Sequence, residues 1–404
     1  MHILLIHQAF AALDEAGGTR HHEMARFLVT QGHRVTILAS PVSYLTGSTR
    51  QMKIRWSSRE TPEAGITILR TYTYPALHKS FVHRIFSFLS FMVSSFLVGL
   101  GVRGVDVVWG TSPPIFQGVT AWLLARLKRV PFLFEVRDLW PAFAIAVGVL
   151  KNRTLIRLSQ WLERFLYRRA DRLVVNSPGF IPHVTELGAR WVELIPNGAD
   201  PAMFTPAAAG HPFKSQHQLD GKFVVMYAGA HGMSNDLGVV LHAAGLLADR
   251  EDIHIVLVGD GKEKPALVDQ AERLNLINIT FVQSQPKNQM AEILAAADAC
   301  IAILKPIDLY RTTYPNKVFD YMAAGKAVIL AIGGVISDVV LDEKAGLAVK
   351  PGDPADLAAV IRQMADDPTL TKAMGAAGRD AVEKRYNRNK FSHQFNLLLE
   401  DMVR

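Results

Sequence analysis

Two successive series of short, β-branched apolar runs, separated throughout by helical stretches, constrain this chain more than any other feature. The first series places strands at residues 2–7, 34–39, 66–72, 105–110, 131–136, 172–176 and 192–195. The second places them at 222–228, 254–258, 278–282, 298–304, 327–331 and 346–349. Continuous rather than alternating apolar runs describe strands buried on both faces of a parallel sheet. Two such series in 404 residues read as two doubly wound, Rossmann-like α/β domains rather than one barrel. The periodicity breaks near Pro196–Ala209, where Pro, Gly and a run of alanines intervene. The expected domains are therefore 1–200 and 201–387. A last helix, about 388–404, carries Phe391, Phe395, Leu398 and Leu399 at helical spacing and is expected to pack back on the first domain.

The most informative local stretch runs from Tyr314 to Gly325. A turn containing Pro315 and Asn316 leads into a helix whose first turn offers free backbone N–H groups, and Lys317 sits in that turn. A helix N-terminus with an ammonium suits a diphosphate. Asp320, one turn on, is placed to accept from ribose hydroxyls, as acidic residues do in other nucleotide sites. An ordinary capped helix is the plain alternative, and the other loops weigh against it.

Ligands in such folds gather beyond the carboxyl ends of the strands, which for two domains means a central cleft between them. In the second half, Gly229, His231 and Gly232 follow one strand and Gly259, Gly261 and Lys262 another. Each loop brings backbone N–H groups, and Lys262 a cation, toward phosphate. Three such loops on one sheet say more than a lone Gly-x-Gly. In the first half, Gly17-Gly18 open a helix that carries His22, and Thr111-Ser112-Pro113-Pro114 follow a later strand. Glu135, Arg137 and Asp138 close the next strand beside Trp140. A carboxylate, a guanidinium and a second carboxylate against an aromatic wall suit a polar substrate. A structural ion pair between Arg137 and either acid is the competing reading.

Charge is unevenly spread. Between Lys79 and Arg172 there are 14 Lys/Arg against 5 Asp/Glu, a net +9, while the whole chain carries +7. Within that segment Ile85–Val102 runs 18 residues without a charge, interrupted by serines and glycines. That length only just reaches a membrane span, so a helix dipping into one leaflet or buried on the sheet is expected. Basic flanks beside apolar surface suit an anionic membrane face. Nothing in the chain matches a nucleic-acid-binding motif, so no nucleic-acid partner is expected. The one cysteine, Cys300, lies in an apolar run and reads as core, and disulfide-free chemistry fits a reducing compartment. Met1–His7 reads as a first strand rather than a signal peptide. No CxxC or HExxH spacing points to a metal, so no metal ligand is expected.

Taken in order, these motifs resemble the family-4-type retaining glycosyltransferases of the GT-B fold. The matching segments are Gly17-Gly18 with His22, Pro196-Asn197-Gly198-Ala199-Asp200 with Phe204, Gly259-Asp260-Gly261, and Asp320–Gly325. Ser112-Pro113-Pro114 and Glu135–Pro141 resemble the bacterial surface-polysaccharide subgroup. The resemblance implies a UDP- or GDP-linked sugar as donor substrate, no cofactor, and an acceptor carried on a polyprenyl diphosphate at the inner face of the plasma membrane. It implies a cytoplasmic, peripheral protein in O-antigen, capsule or exopolysaccharide synthesis. Donor contacts then fall to Gly18, Gly229, His231, Gly232, Gly259, Gly261, Lys262, Tyr314, Pro315, Asn316, Lys317 and Asp320. Catalysis and the acceptor fall to Arg137, Asp138, Glu135 and His22, with Glu135 steadying Arg137.

The chain departs from the family in places. The family's two glutamates eight positions apart are replaced by Thr312 and Asp320, and the usual Arg and Lys after the first strand of the second domain by Ala230, His231 and Asn235. Arg137 stands where many relatives have histidine. No Asp-x-Asp appears where a metal-dependent transferase needs one, so metal-independent transfer is expected, with a lysine and backbone N–H groups stabilising the leaving diphosphate. The departures keep open a catalytically silent scaffold subunit of a polysaccharide assembly complex. A nucleotide-sugar epimerase on the same fold is the other alternative.

Overall fold

The computed structural model describes residues 1–12, 18–43, 47–49, 55–75, 81–206 and 209–404. Gly17 of the first glycine pair lies outside them. The chain forms two units. The first holds the described residues up to Pro196 together with Asn389–Arg404, and the second Asn197–Arg388.

Unit 1 is built on eight strands: β1 (His2–Ile6), β2 (Arg34–Ala39), β3 (Ser57–Glu63), β4 (Ile66–Thr71), β5 (Val107–Ser112), β6 (Phe132–Val136), β7 (Arg172–Val175) and β8 (Val192–Leu194). They lie in the order β3-β4-β2-β1-β5-β6-β7-β8. All neighbours are parallel except β3 and β4, which are antiparallel. Strand β3 was not expected. Its sequence, Ser57-Ser58-Arg59-Glu60-Thr61-Pro62-Glu63, has no apolar face, and its register shifts between Glu60 and Glu63. An edge strand needs pairing on one side only and tolerates both proline and charge.

The order of connection reverses at β1, which is flanked by β2 and β5. Beyond the carboxyl ends of β1, β5 and β6 the fold therefore leaves its ligand crevice. Four helices of this unit matter here: α1 (Arg20–Thr30), α2 (Phe81–Leu100), α3 (Phe116–Lys128) and α4 (Arg153–Arg169).

Helix α2 packs on α3, and Gly99 permits the approach, since a Cβ there would lie 2.6 Å from Leu124. Its polarity runs opposite to that of an ordinary surface helix. Ser87, Ser94 and Ser95 are buried, and the Ser94 and Ser95 hydroxyls donate to Tyr72 O and Phe91 O. Val82, Phe86, Leu89, Val93, Leu97 and Leu100 are exposed. Phe91 is fully buried on the inner face, and Phe88 stacks on Phe116.

Unit 2 has six strands: β9 (Phe223–Ala228), β10 (Ile253–Val258), β11 (Ile279–Val282), β12 (Ala299–Ile303), β13 (Ala327–Ala331) and β14 (Gly346–Ala348). Their order is β11-β10-β9-β12-β13-β14, all parallel, with the switch between β9 and β12. Two apolar clusters cover the two faces of this sheet. Cys300 is core within β12, and burial pushes its thiol up to about 12.

The stretches that enter and leave unit 2 are tied together. Ala199 N donates to Tyr386 O, Arg388 N to Ala199 O, and the Arg388 guanidinium to Asn197 O and Gly198 O. After this junction α6 (Arg388–Val403), which follows α5 (Asn316–Ala323) in this numbering, returns to unit 1, where Phe395 and Leu399 complete a core with Ile3, Leu5 and Trp109.

Candidate active site

In unit 2 the helix α5 (Asn316–Ala323) starts beyond β12, and Pro315 is its N-cap. The Tyr321 hydroxyl holds this helix to the end of β9, accepting from Ala228 N at 2.9 Å and donating to Ala228 O at 3.1 Å. Lys317 thereby lies at the switch point. Its Nζ donates to the Tyr227 hydroxyl at 2.6 Å and to Asn235 Oδ1 at 3.5 Å, and sits 3.8 Å from the Tyr227 ring centroid. Burial lowers its pKa to about 7, and no carboxylate among the described residues balances the charge. A diphosphate delivered to it would supply that balance.

The glycine loops close around this lysine. A Cβ on Gly229 would fall 2.8 Å from Lys317 Nζ, and one on Gly259 only 1.9 Å from Gly229 O. Both glycines also have φ values outside ordinary L-residue space, 156° and 148°. Only glycine fits at these two positions. Gly261 lies against the His231 backbone and Gly232 near Asn235.

His231 is fully buried, and neither ring nitrogen has a hydrogen-bond partner among the described residues. Burial, then Lys264 and Lys317, lower its pKa to about 4, so it is neutral at physiological pH. The neutral ring offers this loop one donor and one acceptor.

Two expectations change here. Lys262 is exposed on its loop, while the lysine built into it is Lys264, whose Nζ donates to Gly259 O and Val282 O. Asp320 is bound at 2.5 Å by Lys287, a residue not singled out in the sequence, and its other oxygen lies 3.9 Å from Arg388. Lys287 also sits over the Phe204 ring. Asn316 accepts from Asn197, whose own Oδ1 is buried without a partner among the described residues. Tyr314 packs edge-on to Phe319, 5.6 Å away.

In unit 1, Glu135 is wholly buried and accepts from Arg20 Nε at 2.9 Å, His21 Nε2 at 2.7 Å and Trp109 Nε1 at 3.2 Å. Burial raises its pKa, but His21 and Arg20 more than offset that and hold the carboxyl well below its usual range. His21 is itself kept neutral by burial, at about 4, so Arg20 supplies the balancing charge and His21 a neutral N–H. Glu135 therefore anchors α1 to the sheet. Its hydrogen bonds go to Arg20, His21 and Trp109 rather than, as expected, to Arg137, although its charge still favours the protonated Arg137 guanidinium.

Arg137 instead donates to His7 Nε2 at 3.3 Å, and its NH2 group lies near Gly18, whose Cβ would be 3.7 Å away. Gly18 thus belongs with the unit 1 cluster. Asp138 is half-buried, and burial raises its pKa to about 6 against the opposite pull of Arg137. His22 packs against Phe10 at 5.8 Å and lies 3.5 Å from Glu63, away from this group. The histidines that reach it are His7 and His21, whose rings lie 4.2 Å apart.

Six buried polar atoms here have no partner among the described residues: His7 Nδ1, Gln8 Oε1, His21 Nδ1, Thr111 Oγ1, Arg137 Nε and Asn176 Oδ1. Buried polar atoms are normally satisfied, so this concentration of donors and acceptors at the carboxyl ends of β1, β5, β6 and β7 marks a place for a polar ligand. His7 could have been found from the sequence, as the first residue past the switch strand. No group of three His, Cys, Asp or Glu side chains suited to a metal occurs among the described residues.

Residues 16–198 match the glycosyl transferase 4-like domain and 222–367 the glycosyl transferases group 1 domain. The chain belongs to this glycosyltransferase family. The glycosyl transferase WcaI of Escherichia coli (strain K12), whose name assigns it to colanic acid biosynthesis, is 25% identical over 92% of this chain and 93% of its own. The lipopolysaccharide core biosynthesis glycosyltransferase LpsD of Rhizobium meliloti is 28% identical over 57% of this chain and 64% of its own. Among solved structures, sucrose-phosphate synthase from Thermosynechococcus elongatus superposes with a TM-score of 0.79 at 19% identity, covering 99% of this chain and 98% of that one. HepE of Anabaena, solved with UDP and glucose, gives 0.73 at 16%, covering 99% and 100%. The fold is GT-B.

Proposed function

We propose that this glycosyltransferase moves a hexose, with retention of configuration and without a metal ion, from a UDP- or GDP-linked donor to a polyprenyl-diphosphate-linked acceptor. Its place is the inner face of a bacterial plasma membrane, in surface-polysaccharide synthesis. The observation that carries the reading is Lys317: a half-buried cation with no counter-charge among the described residues, at a helix start, beside two glycine turns. The donor diphosphate takes that position, stabilised as it leaves by the ammonium and the backbone N–H groups of α5. Asp320 retains one carboxylate oxygen for the ribose. The unit 1 cluster receives the acceptor, with Arg137 holding its polar groups and Asp138 orienting the attacking hydroxyl. The names of WcaI and LpsD and the UDP in HepE support this reading. The outward apolar face of α2 supports the membrane location, because a helix in water turns its serines out rather than in.

Incubating the purified protein with UDP- and GDP-sugars, a lipid-diphosphate acceptor and EDTA tests the proposal. Acceptor-dependent release of UDP or GDP with an α-linked product from an α-linked donor is expected. Nucleotide binding without release would favour the scaffold reading, for which Thr312 at a family glutamate position and the Lys287–Asp320 pair are the support.

A further inference from the structure

The amino ends of β6 and β7, opposite the carboxyl-end cluster of unit 1, border a groove of about 950 Å³. Arg126, Arg129, Arg168, Arg169, Arg172 and Arg190 line it, against only Asp171 and Asp401 among the described residues. Both acids are already engaged: Asp171 accepts from Phe132 N at 2.8 Å, and Asp401 pairs with Arg172 at 3.0 Å. Trp122 and Trp191 form its walls. Trp191 is 62% exposed, with the Arg172 guanidinium 5.1 Å from its ring centroid.

Like charges gathered in one concavity repel each other and concentrate anions. Guanidinium forks match phosphate oxygens two at a time, and exposed tryptophans supply apolar contact beside them. Exposed apolar side chains also lie on the helices that line it, Leu127 of α3 and Trp161 of α4. From this we infer that the groove is a second anion site, distinct from the Lys317 site, that binds a phosphate-bearing group. A lipid headgroup or a soluble diphosphate could present that chemistry.

The test compares Arg126→Gln/Arg129→Gln/Arg190→Gln with a charge-matched control, Arg153→Gln/Arg157→Gln/Arg164→Gln, whose residues are exposed on α4 outside the groove. Both are made in the Lys317→Ala protein, so that the donor site does not contribute. One arm titrates pyrophosphate by calorimetry. The other sediments the protein with phosphatidylglycerol or phosphatidylcholine vesicles. Loss of three arginines from the site should weaken binding on the order of a hundredfold, with the control much less affected. A groove-specific loss with pyrophosphate assigns a soluble ligand, and one seen only with phosphatidylglycerol vesicles assigns a lipid headgroup. Equal behaviour of groove and control variants in both arms, or no binding in either, overturns the inference. Arg190→Gln alone, at an exposed position, serves if the triple variant does not fold, and should show the same contrast against Arg157→Gln. Serine substitutions on the outer face of α2 should leave the pyrophosphate result unchanged, which separates this site from the membrane reading.

Discussion

Lys317 and Tyr227 hold each other across the switch point of unit 2: the ammonium donates to the hydroxyl at 2.6 Å and lies 3.8 Å from the ring centroid. Burial leaves this lysine titrating near 7. A bound diphosphate favours the protonated form, so UDP or GDP affinity should be full below pH 7 and fall as pH rises through 7 and above. Lys317→Ala should weaken nucleotide binding by about 1.5–3 kcal/mol at pH 6.5 and flatten the pH dependence. Calorimetry at several pH values measures both, and an unchanged affinity removes Lys317 from the site.

Asp320 has a resident partner in Lys287. Asp320→Asn should lower nucleotide affinity if the carboxylate also serves the ribose, whereas Lys287→Met should chiefly lower the melting temperature. Equal nucleotide affinity in Asp320→Asn and the wild type would make the pair purely structural.

Glu135→Gln leaves Arg20 and His21 buried without their anion and should cost about 3–5 kcal/mol. The wild-type carboxyl titrates below its unfolded value, so its stabilisation is present above about pH 4.3 and is lost as pH falls from there. Denaturant melts at pH 7 and pH 4 should show the gap between wild type and variant narrowing on the acid side.

Arg137→Lys keeps the charge and loses the fork, so transfer should fall at least tenfold while nucleotide affinity is unchanged. Asp138 titrates near 6, so transfer should decline as pH falls through 6, and Asp138→Asn should remove that limb. A pH–rate profile on each variant checks this. Loss of nucleotide affinity in Arg137→Lys would contradict the acceptor role.

Phe86→Ser/Leu89→Ser/Val93→Ser should move the protein from membrane to soluble fractions with little change in melting temperature, because these side chains already face outward. Phe91→Ser should instead destabilise it by about 3–5 kcal/mol, the range for emptying a buried aromatic site.

The strands of both sheets and the helices carrying Lys317 and Phe395 were legible because buried parallel strands write long apolar runs. Strand β3 was not, since a solvent-facing edge strand has no such run. Site residues divided along a similar line. Lys317 follows a turn with its own local signal, whereas Lys287 reaches Asp320 from 33 residues away in sequence, and no spacing reports that. The sequence singled out His22 alone, but Arg20, His21 and His22 are all buried, so helical phase does not show which of them reaches the Glu135 cluster. Glu135 was read as a partner for its near neighbour Arg137, while its hydrogen-bonded ion-pair partner Arg20 lies 115 residues away in sequence.

The Trp109 ring lies 4.5 Å from that of Phe395 on α6, and this contact sets an order of events on the ribosome. Everything else in the unit 1 core has been translated by Pro196, but α6 follows only after all of unit 2. At ordinary elongation rates the gap is roughly ten to forty seconds. Through that interval unit 1 waits with one flank of its core open to solvent or to a chaperone, while unit 2 can close on its own.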